Sequence, residues 1–138
     1  MRRYCADTSA WHHATHPDVA NRWLAALSAD QVGVCDQVRL EILYSARSAN
    51  DYDALAAELD GLTRIEMGSR TFTRATEVQR ELAHVAGLYH RSVKIADLII
   101  AAAAELSGTV LWHYDEDYDR IAEITGQRTE WIAPRGAL

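Results

Sequence analysis

Two acidic residues interrupt segments that are otherwise rich in aliphatic side chains. Asp97 lies within residues 95–102, where every other side chain is aliphatic, and Glu41 lies within residues 38–43, where only Arg39 is also charged. An ionised carboxylate is costly to bury among apolar groups unless a partner compensates its charge. Asp97 therefore favours a functional interpretation more strongly than any other acid in the chain.

Two further acids follow segments that have the composition of short buried strands. Asp7 follows the first such segment, and Asp115 comes soon after residues 109–113. If these carboxylates meet in one place, they repel one another and need a compensating cation. Ligands that are all oxygen favour the hard ions Mg²⁺ or Mn²⁺ over zinc. Such a site suits phosphodiester hydrolysis, because a bound ion activates water and neutralises charge on the phosphate.

Each acid also has an ordinary structural interpretation. Asp7 and Asp115 can each cap the helix that follows. Glu41 can face solvent or pair with Arg39 or Arg47. Three acids beyond Asp115 suit the first turn of a helix, where the helix dipole favours negative charge; these are Glu116, Asp117 and Asp119. The joint placement of the acids is therefore a stronger argument than any one of them.

The elements that must position these acids alternate along the chain. Strands are predicted at residues 3–6, 31–35, 63–67, 109–113 and 129–132, and helices at residues 18–29, 36–47, 49–59, 69–85, 94–106 and 117–125. Asp36 and Ser69 are the expected N-caps of their helices, and Gly108 and Gly126 are the expected stops. The helix at residues 69–85 has an apolar stripe formed by Phe72, Ala75, Val78, Leu82 and Val85.

This alternation, without a hairpin signal, predicts an α/β fold in which a parallel sheet carries helices on both faces. In such sheets, ligands bind beyond the carboxyl ends of the strands, at the point where the strand order reverses. If the first and fourth strands are neighbours, Asp7 and Asp115 enter the same crevice.

The composition is that of one globular domain spanning residues 1–138, with 49% hydrophobic and 25% charged residues. The net charge of −6 argues against a broad basic surface for nucleic acid, but not against a nuclease whose acids bind metal. The N-terminus lacks the apolar core of a signal peptide, and the apolar run 95–106 is too short to cross a bilayer. Cys5 and Cys35 are expected to be buried thiols in a reducing cytoplasm.

Four motifs in this order resemble those of the PIN-domain nucleases, and in particular the VapC-type toxins. The motifs are Asp7-Thr8-Ser9, residues 38–43, residues 95–102, and residues 113–121, which read His-Tyr-Asp-Glu-Asp-Tyr-Asp-Arg-Ile. The resemblance extends over essentially the whole chain. It implies a three-layer α/β/α fold with a five-stranded parallel sheet and a Mg²⁺-dependent endoribonuclease activity, with Mn²⁺ as the alternative ion.

The resemblance also implies a set of site residues. The catalytic acid cluster maps onto Asp7, Glu41, Asp97 and Asp115, and these bind metal together with Asp117 as an auxiliary ligand. In the expected mechanism, an activated water displaces the 3′ oxygen and leaves a 5′ phosphate. Thr8 or Ser9 is expected to support the first aspartate or a water. Tyr118 stands where Phe is frequent in the family, a difference that we expect to be conservative.

The partners implied by the resemblance are an RNA substrate such as tRNA, a small antitoxin that blocks the site, and a second copy of the chain in a homodimer. The helix stripe Leu55, Leu59 and Leu62, with residues 11–27, predicts a groove for an antitoxin helix, although ordinary core packing explains it equally. The basic residues beside the acid motifs are either RNA contacts or solvated cations; they are Arg39, Arg91 and Lys94.

Rival functions leave different sequence marks. A phosphatase of the haloacid dehalogenase type has Asp-x-Asp after its first strand, and a receiver domain has an acid pair there, whereas this chain has Asp7-Thr8-Ser9. A non-catalytic PIN-like domain that binds RNA or protein is the alternative within the family, and loss of an acid would mark it. The six histidines share no metal-ligand spacing, and they and the four tryptophans are expected to serve in packing or at the surface.

Overall fold

Five strands and seven α-helices alternate along residues 3–138, the part of the chain that the computed structural model describes. The strands are β1 (Tyr4–Ala6), β2 (Val32–Cys35), β3 (Thr63–Ile65), β4 (Val110–His113) and β5 (Thr129–Trp131). The helices are α1 (Thr8–His13), α2 (Ala20–Ser28), α3 (Asp36–Tyr44), α4 (Ala49–Asp60), α5 (Ser69–Val85), α6 (Ile95–Ser107) and α7 (Asp117–Thr125), and a 3₁₀ turn spans Tyr89–Ser92.

The strands form one parallel sheet in the order β3-β2-β1-β4-β5. The chain moves outward from β1 to β2 and β3, and then returns to place β4 on the other side of β1. The strand order therefore reverses between β1 and β4, and the carboxyl ends of these two strands border the crevice where ligands bind in sheets of this kind. The predicted parallel sheet is confirmed.

Helices cover both faces of the sheet. On β4, the ring of Trp112 stacks on Tyr4 of β1, with ring centroids 4.4 Å apart, and on Trp23 of α2, at 5.6 Å. The next residue, His113, points to the opposite face and packs against Tyr118 of α7, with centroids 5.0 Å apart. The three-layer α/β/α arrangement is thus confirmed.

The two predicted glycine stops are confirmed, whereas two predicted caps are wrong. Gly108 and Gly126 follow α6 and α7 with φ of 70° and 68°, a left-handed conformation that a side chain disfavours. The N-cap of α3 is Cys35 rather than Asp36, and Asp36 instead forms a two-point ion pair with Arg64, with N–O distances of 2.7 and 2.9 Å.

The cap of one helix, the ends of two elements and one stripe differ from the predictions. The helix at 69–85 has the predicted bounds, but its N-cap is Gly68 rather than Ser69. The strand β3 ends two residues early at Ile65, and α3 ends at Tyr44 instead of near Arg47. After Tyr44, the N–H of Ser45 bonds to the carbonyl of Ile42, which tightens and ends the helix. The α5 stripe is buried only in its middle, because Phe72 and Val85 near its ends are 52% and 56% exposed.

The most apolar helix, α6, passes through the core. Its residues Leu98 and Ile100 to Ala104 are buried, and Asp97 is buried in its first turn. A search of the described residues finds no helix with the length and apolar character needed to cross a membrane.

Candidate metal centre

Asp7 and Asp115 follow the two strands at which the strand order reverses. Ala6, the last residue of β1, pairs with Trp112 of β4. The N–H of Asp7 continues this pairing and donates to the carbonyl of Trp112 at 3.0 Å. The sheet register therefore brings the first acid to the crevice beside the loop that contains Asp115.

Three carboxylates from two elements and one loop meet at this crevice. One oxygen each from Asp97, Asp115 and Asp117 lies within 4.8 Å of the others. Asp97 comes from the first turn of α6, Asp117 is the first residue of α7, and Asp115 lies between β4 and α7. The N–H of Asp115 donates to His113 Nδ1 at 3.1 Å, and Asp115 Oδ1 accepts from the N–H of Asp117 at 3.0 Å. These local bonds hold the loop so that its acids face α6.

Asp97 is the most buried carboxyl of the three. It is only 7% exposed, its Oδ1 accepts from the Tyr118 hydroxyl at 3.1 Å, and its buried Oδ2 has no hydrogen-bond partner. Burial, the charge of Asp7 and the neighbouring carboxyls of Asp117 and Asp115 raise its pKa to about 8. No ion pair among the described residues involves Asp97. A buried acceptor without a donor, in a set of oxygen ligands, fits a hard divalent cation.

Asp117 differs from Asp97 in having a cationic partner. Arg120, one helical turn further along α7, donates to Asp117 Oδ1 at 2.8 Å and to Glu116 Oε1 at 3.3 Å. The charge of this acid is therefore partly compensated within the protein. The other oxygen of Asp117 accepts from the backbone N–H of Lys94 at 3.4 Å, so the carboxylate also bridges α7 to the start of α6.

Asp7 caps α1 and also reaches into the site. Its Oδ2 accepts from the N–H of Ser9 at 3.0 Å and from the Ser9 hydroxyl, so the capping interpretation is correct. Its Oδ1 accepts from the Tyr118 hydroxyl at 2.7 Å. Burial raises the pKa of Asp7, and the bonds from Ser9 and Tyr118 oppose that rise. Asp7 lies outside the tight cluster of three but is linked to Asp97 through one hydroxyl.

Glu41 lies beside Asp7 rather than within the cluster of three. Its Oε1 accepts from the hydroxyl of Thr8 at 2.6 Å, and its Oε2 accepts from the side-chain amide of Gln37 at 2.9 Å. The alternative that Glu41 pairs with an arginine is wrong, because no ion pair among the described residues involves Glu41 and Arg39 pairs instead with Asp60. Two neutral donors thus hold the Glu41 carboxylate without removing its charge.

The sequence did not reveal the roles of Gln37 and Tyr118. It also did not distinguish the role of Thr8 from that of Ser9. Ser9 supports Asp7 and accepts from the N–H of Tyr114 at 2.9 Å, whereas Thr8 supports Glu41. Gln37 was not singled out, although it lies one helical turn before Glu41. Tyr118 was treated as a conservative difference, but its hydroxyl contacts two acids. A sequence signal for this role existed: Tyr118 lies three residues before Ile121, and this spacing places both residues on the same, buried face of α7.

The histidine of the site loop serves in packing. His113 is fully buried against the rings of Tyr118 and Trp131, with both centroid distances at 5.0 Å, and burial lowers its pKa to about 4. It is therefore neutral near pH 7 and positions the loop through Asp115 rather than contributing charge.

An apolar groove lies on another part of the surface. It has a volume of about 360 Å³ and lies between α1, α2 and α4. Its lining includes Trp11, Trp23, Leu27, Leu55 and Leu62. The predicted groove is therefore present, although Leu59 is buried in the core rather than lining it.

Comparisons with known proteins identify sequence relatives over nearly the whole chain. A family model described as the PIN domain matches residues 4–124. A protein named Ribonuclease VapC18 from Mycobacterium tuberculosis (strain ATCC 25618 / H37Rv) is 78% identical over 135 residues, which cover 98% of this chain and 98% of that protein. Ribonuclease VapC21 from Mycobacterium tuberculosis (strain CDC 1551 / Oshkosh) is 39% identical over 135 residues, covering 97% and 96%.

Solved structures share the fold. DNA-bound VapBC from Salmonella typhimurium has a chain that superposes with a TM-score of 0.77 at 18% identity, covering 96% of this chain and all of that one. VapBC-5 from Mycobacterium tuberculosis, described as a member of the VapBC family of toxin–antitoxin systems, gives 0.60 at 19% identity, covering 93% and 96%. At these identities the likeness establishes the architecture alone.

Proposed function

The chain belongs to the PIN-domain family, among relatives named VapC ribonucleases, and on this premise we propose that it is a metal-dependent endoribonuclease and the toxic component of a toxin–antitoxin pair. The observation that carries the proposal is the environment of Asp97. A buried carboxyl with an unpartnered oxygen lies within 4.8 Å of ligand oxygens from two further acids. Such an arrangement destabilises the metal-free fold, and that cost is offset when the site holds a cation.

We assign the metal-holding role to Asp97, Asp115 and Asp117, with Asp7 beside them and Glu41 at the edge of the site. The ion of choice is Mg²⁺, with Mn²⁺ as the alternative, because the three cluster residues and the two acids beside them offer carboxylate oxygens, and the cluster found among the described residues contains no sulfur or imidazole ligand. When bound, such an ion supplies Lewis acidity toward water and compensates charge on the phosphate.

The chain's own residues orient the reactants. The Glu41 carboxylate, held by Thr8 and Gln37, is placed to accept a hydrogen bond from the attacking water and so to fix its direction. The water oxygen bonds to phosphorus as the bond from phosphorus to the 3′ oxygen breaks. The attacking water gives up one proton and the departing 3′ oxygen takes up one, so that one water molecule is added across the P–O bond. The products are a 5′ phosphate and a 3′ hydroxyl end.

The exposed side chains of Arg91 and Lys94 lie on the segment that leads into α6, where the backbone N–H of Lys94 donates to Asp117. We assign them to the RNA backbone, because a cation there complements phosphate. Arg39 fits this role less well, since it is already paired with Asp60 at 2.8 Å.

Cleavage of labelled RNA tests the activity. We expect the purified protein to cut RNA with Mg²⁺ or Mn²⁺ and to lose this activity in EDTA. Asp97→Asn should abolish cleavage while retaining the fold, because the amide cannot supply the lost charge. Asp53→Asn is the matched control, since Asp53 is exposed on α4 and should not affect cleavage. Cleavage by Asp97→Asn at the wild-type rate would refute the metal-site proposal.

The alternative is a non-catalytic PIN-like domain that binds RNA or protein. Retention of all five acids favours the enzyme. The two functions are separated by the same assay, because a binding domain would shift RNA in a gel and leave it intact whether or not EDTA is present.

We further propose that the apolar groove between α1, α2 and α4 binds a helix of the antitoxin. The support is its lining by two tryptophans and three leucines, which suits the apolar face of an amphipathic helix. Leu55→Glu should prevent inhibition by the antitoxin without reducing RNA cleavage by the free toxin. Loss of cleavage in the free variant, or unchanged inhibition, would contradict this assignment.

The last part of the proposal is that the chain forms a homodimer. Phe72 and Ile95 lie together around a shallow cavity between α5 and α6, and they are 52% and 69% exposed. Adjacent apolar side chains with such exposure are typical of interaction surfaces. Sedimentation equilibrium of the wild type and of Ile95→Glu tests it: the wild type should be dimeric and the variant monomeric.

A further inference from the structure

One buried hydroxyl connects the two deepest acids of the site. The side chain of Tyr118 is fully buried, and its oxygen lies 2.7 Å from Asp7 Oδ1 and 3.1 Å from Asp97 Oδ1. Tyr118 comes from α7, Asp7 from the N-cap of α1 and Asp97 from α6. The hydroxyl therefore joins three elements at the point where their carboxylates approach one another.

The two acids depend on this hydroxyl to different degrees. Asp7 also accepts two bonds from Ser9, so its orientation is fixed without Tyr118. Among residues 3–138, Tyr118 is the one hydrogen-bond donor to Asp97 Oδ1, and Oδ2 has none. Because the hydroxyl engages Oδ1, it determines the rotation of the Asp97 carboxyl and leaves Oδ2 without a competing protein donor.

The donor is also neutral. An arginine or lysine in the same place would cancel the charge of the acids, and a hydrophobic residue would leave them unsupported. A tyrosine hydroxyl orients a carboxyl group without forming an ion pair with it. The geometry thus combines orientation with an acid that Tyr118 does not neutralise, which are the two properties that a ligand for a divalent cation needs.

We propose that Tyr118 is a positioning residue that holds Asp97 and Asp7 in the orientation required for metal binding. The proposal rests on the proposed function, because it assigns a second role within the same site. Tyr118 touches neither the reacting phosphate nor water in this scheme, and it acts through the two carboxylates.

Removing the hydroxyl has two opposite consequences. The freed carboxylates become stronger Lewis bases, which favours metal binding, but Asp97 loses its only donor and with it a fixed orientation. We expect the loss of orientation to dominate, because hydrogen-bond partners of metal ligands typically contribute about 10–100-fold to metal affinity. The expected result for Tyr118→Phe is a decrease of at least about tenfold in affinity for Mn²⁺.

The experiment measures Mn²⁺ binding to the full chain by electron paramagnetic resonance of the free ion, in the absence of RNA. Tyr118→Phe retains the buried ring, and circular dichroism verifies its fold. Tyr114→Phe is the matched control from the same segment, because the Tyr114 hydroxyl bonds to the N–H of Leu138 and contacts no carboxylate. Its Mn²⁺ affinity should equal that of the wild type.

A second measurement uses the wild-type protein and needs no variant. Titration with Mg²⁺ should shift the NMR signals of the Tyr118 ring and hydroxyl, since the acids that share its proton acquire a new partner. RNA cleavage by Tyr118→Phe should be impaired at limiting Mn²⁺ and recover at saturating Mn²⁺, whereas a merely structural defect would not recover.

The outcomes separate this inference from the proposed function. If the wild type binds Mn²⁺ and Tyr118→Phe binds it equally well or more tightly, the positioning role is wrong and the nuclease assignment stands. If the wild type binds no Mn²⁺, both fail. Absence of any Mg²⁺-dependent change in the Tyr118 signals, with metal bound, also overturns the positioning role.

Discussion

The stability of the metal-free protein should depend on pH through Asp97. Its carboxyl is buried beside other acids, and its pKa is raised to about 8, whereas an unfolded chain has an aspartate pKa of about 3.9. Between these two values the folded state keeps a proton that the unfolded state has released. The contribution of the protonated carboxyl to stability is therefore fully present below the unfolded pKa and is lost as pH rises through the folded value.

The magnitude follows from the size of this difference. Each pH unit between about 4 and 8 removes about 1.4 kcal/mol of unfolding free energy, so the full loss is on the order of 5 kcal/mol at pH 8. Asn at this position carries no charge at any pH. We therefore expect Asp97→Asn to be more stable than the wild type in EDTA, with an advantage that increases from pH 5 to pH 8. An advantage of ~2 kcal/mol corresponds to roughly 6 °C in melting temperature for a chain of this size.

Thermal melts followed by circular dichroism, in EDTA and across this pH range, measure the effect. Asp53→Asn should follow the wild type at every pH, because Asp53 is exposed. Adding Mg²⁺ should stabilise the wild type and leave Asp97→Asn unchanged, since a ligand stabilises only the state that binds it. If Asp97→Asn is less stable than the wild type at pH 8, or if the difference is independent of pH, the carboxyl is not the uncompensated buried acid that our argument requires.

Two further predictions concern the site and the fold. Gln37→Leu removes the 2.9 Å hydrogen bond to Glu41 and leaves the cluster of Asp97, Asp115 and Asp117 intact. The variant should therefore cleave RNA more slowly without a change in Mn²⁺ affinity. Single-turnover kinetics and metal titration measure the two effects separately. Gly108→Ala should lower the free energy of unfolding by about 1 kcal/mol, because residue 108 has a φ of +70° at the end of α6. Urea titrations measure this loss. Gly68→Ala is the control, since its φ of −156° is accessible to any residue and should carry no such backbone penalty.

Much of the fold follows from local sequence patterns. The apolar segments and the glycines after α6 and α7 predict the element order, because helix stops and buried strands depend on neighbouring residues. Some wrong predictions about the fold concern residues at the ends of elements that are drawn into contacts with distant residues. Asp36, for example, is drawn from the expected cap role into an ion pair with Arg64, 28 positions away.

The candidate site was likewise predicted in part from the sequence and in part decided by the tertiary structure. The sequence by itself determined which residues carry unusual charge, because Asp97 among aliphatic neighbours is improbable without a compensating group, and the motifs identify the family. Only the tertiary structure decided how the acids differ from one another. It joined Asp97, Asp115 and Asp117 in one cluster, held Glu41 apart through Thr8 and Gln37, and placed the Tyr118 hydroxyl between Asp7 and Asp97.

The physical reason is that residue type and apolar pattern are local properties of the sequence. A hydrogen bond of about 3 Å, in contrast, depends on the packing of several elements at once. Tyr118 and Asp7 are 111 residues apart, and their contact arises from the pairing of β1 with β4 and the packing of α7 behind it. The sequence determines the chemistry that the chain possesses, and the packing of α1, α6 and α7 at the reversal of strand order determines how that chemistry is arranged.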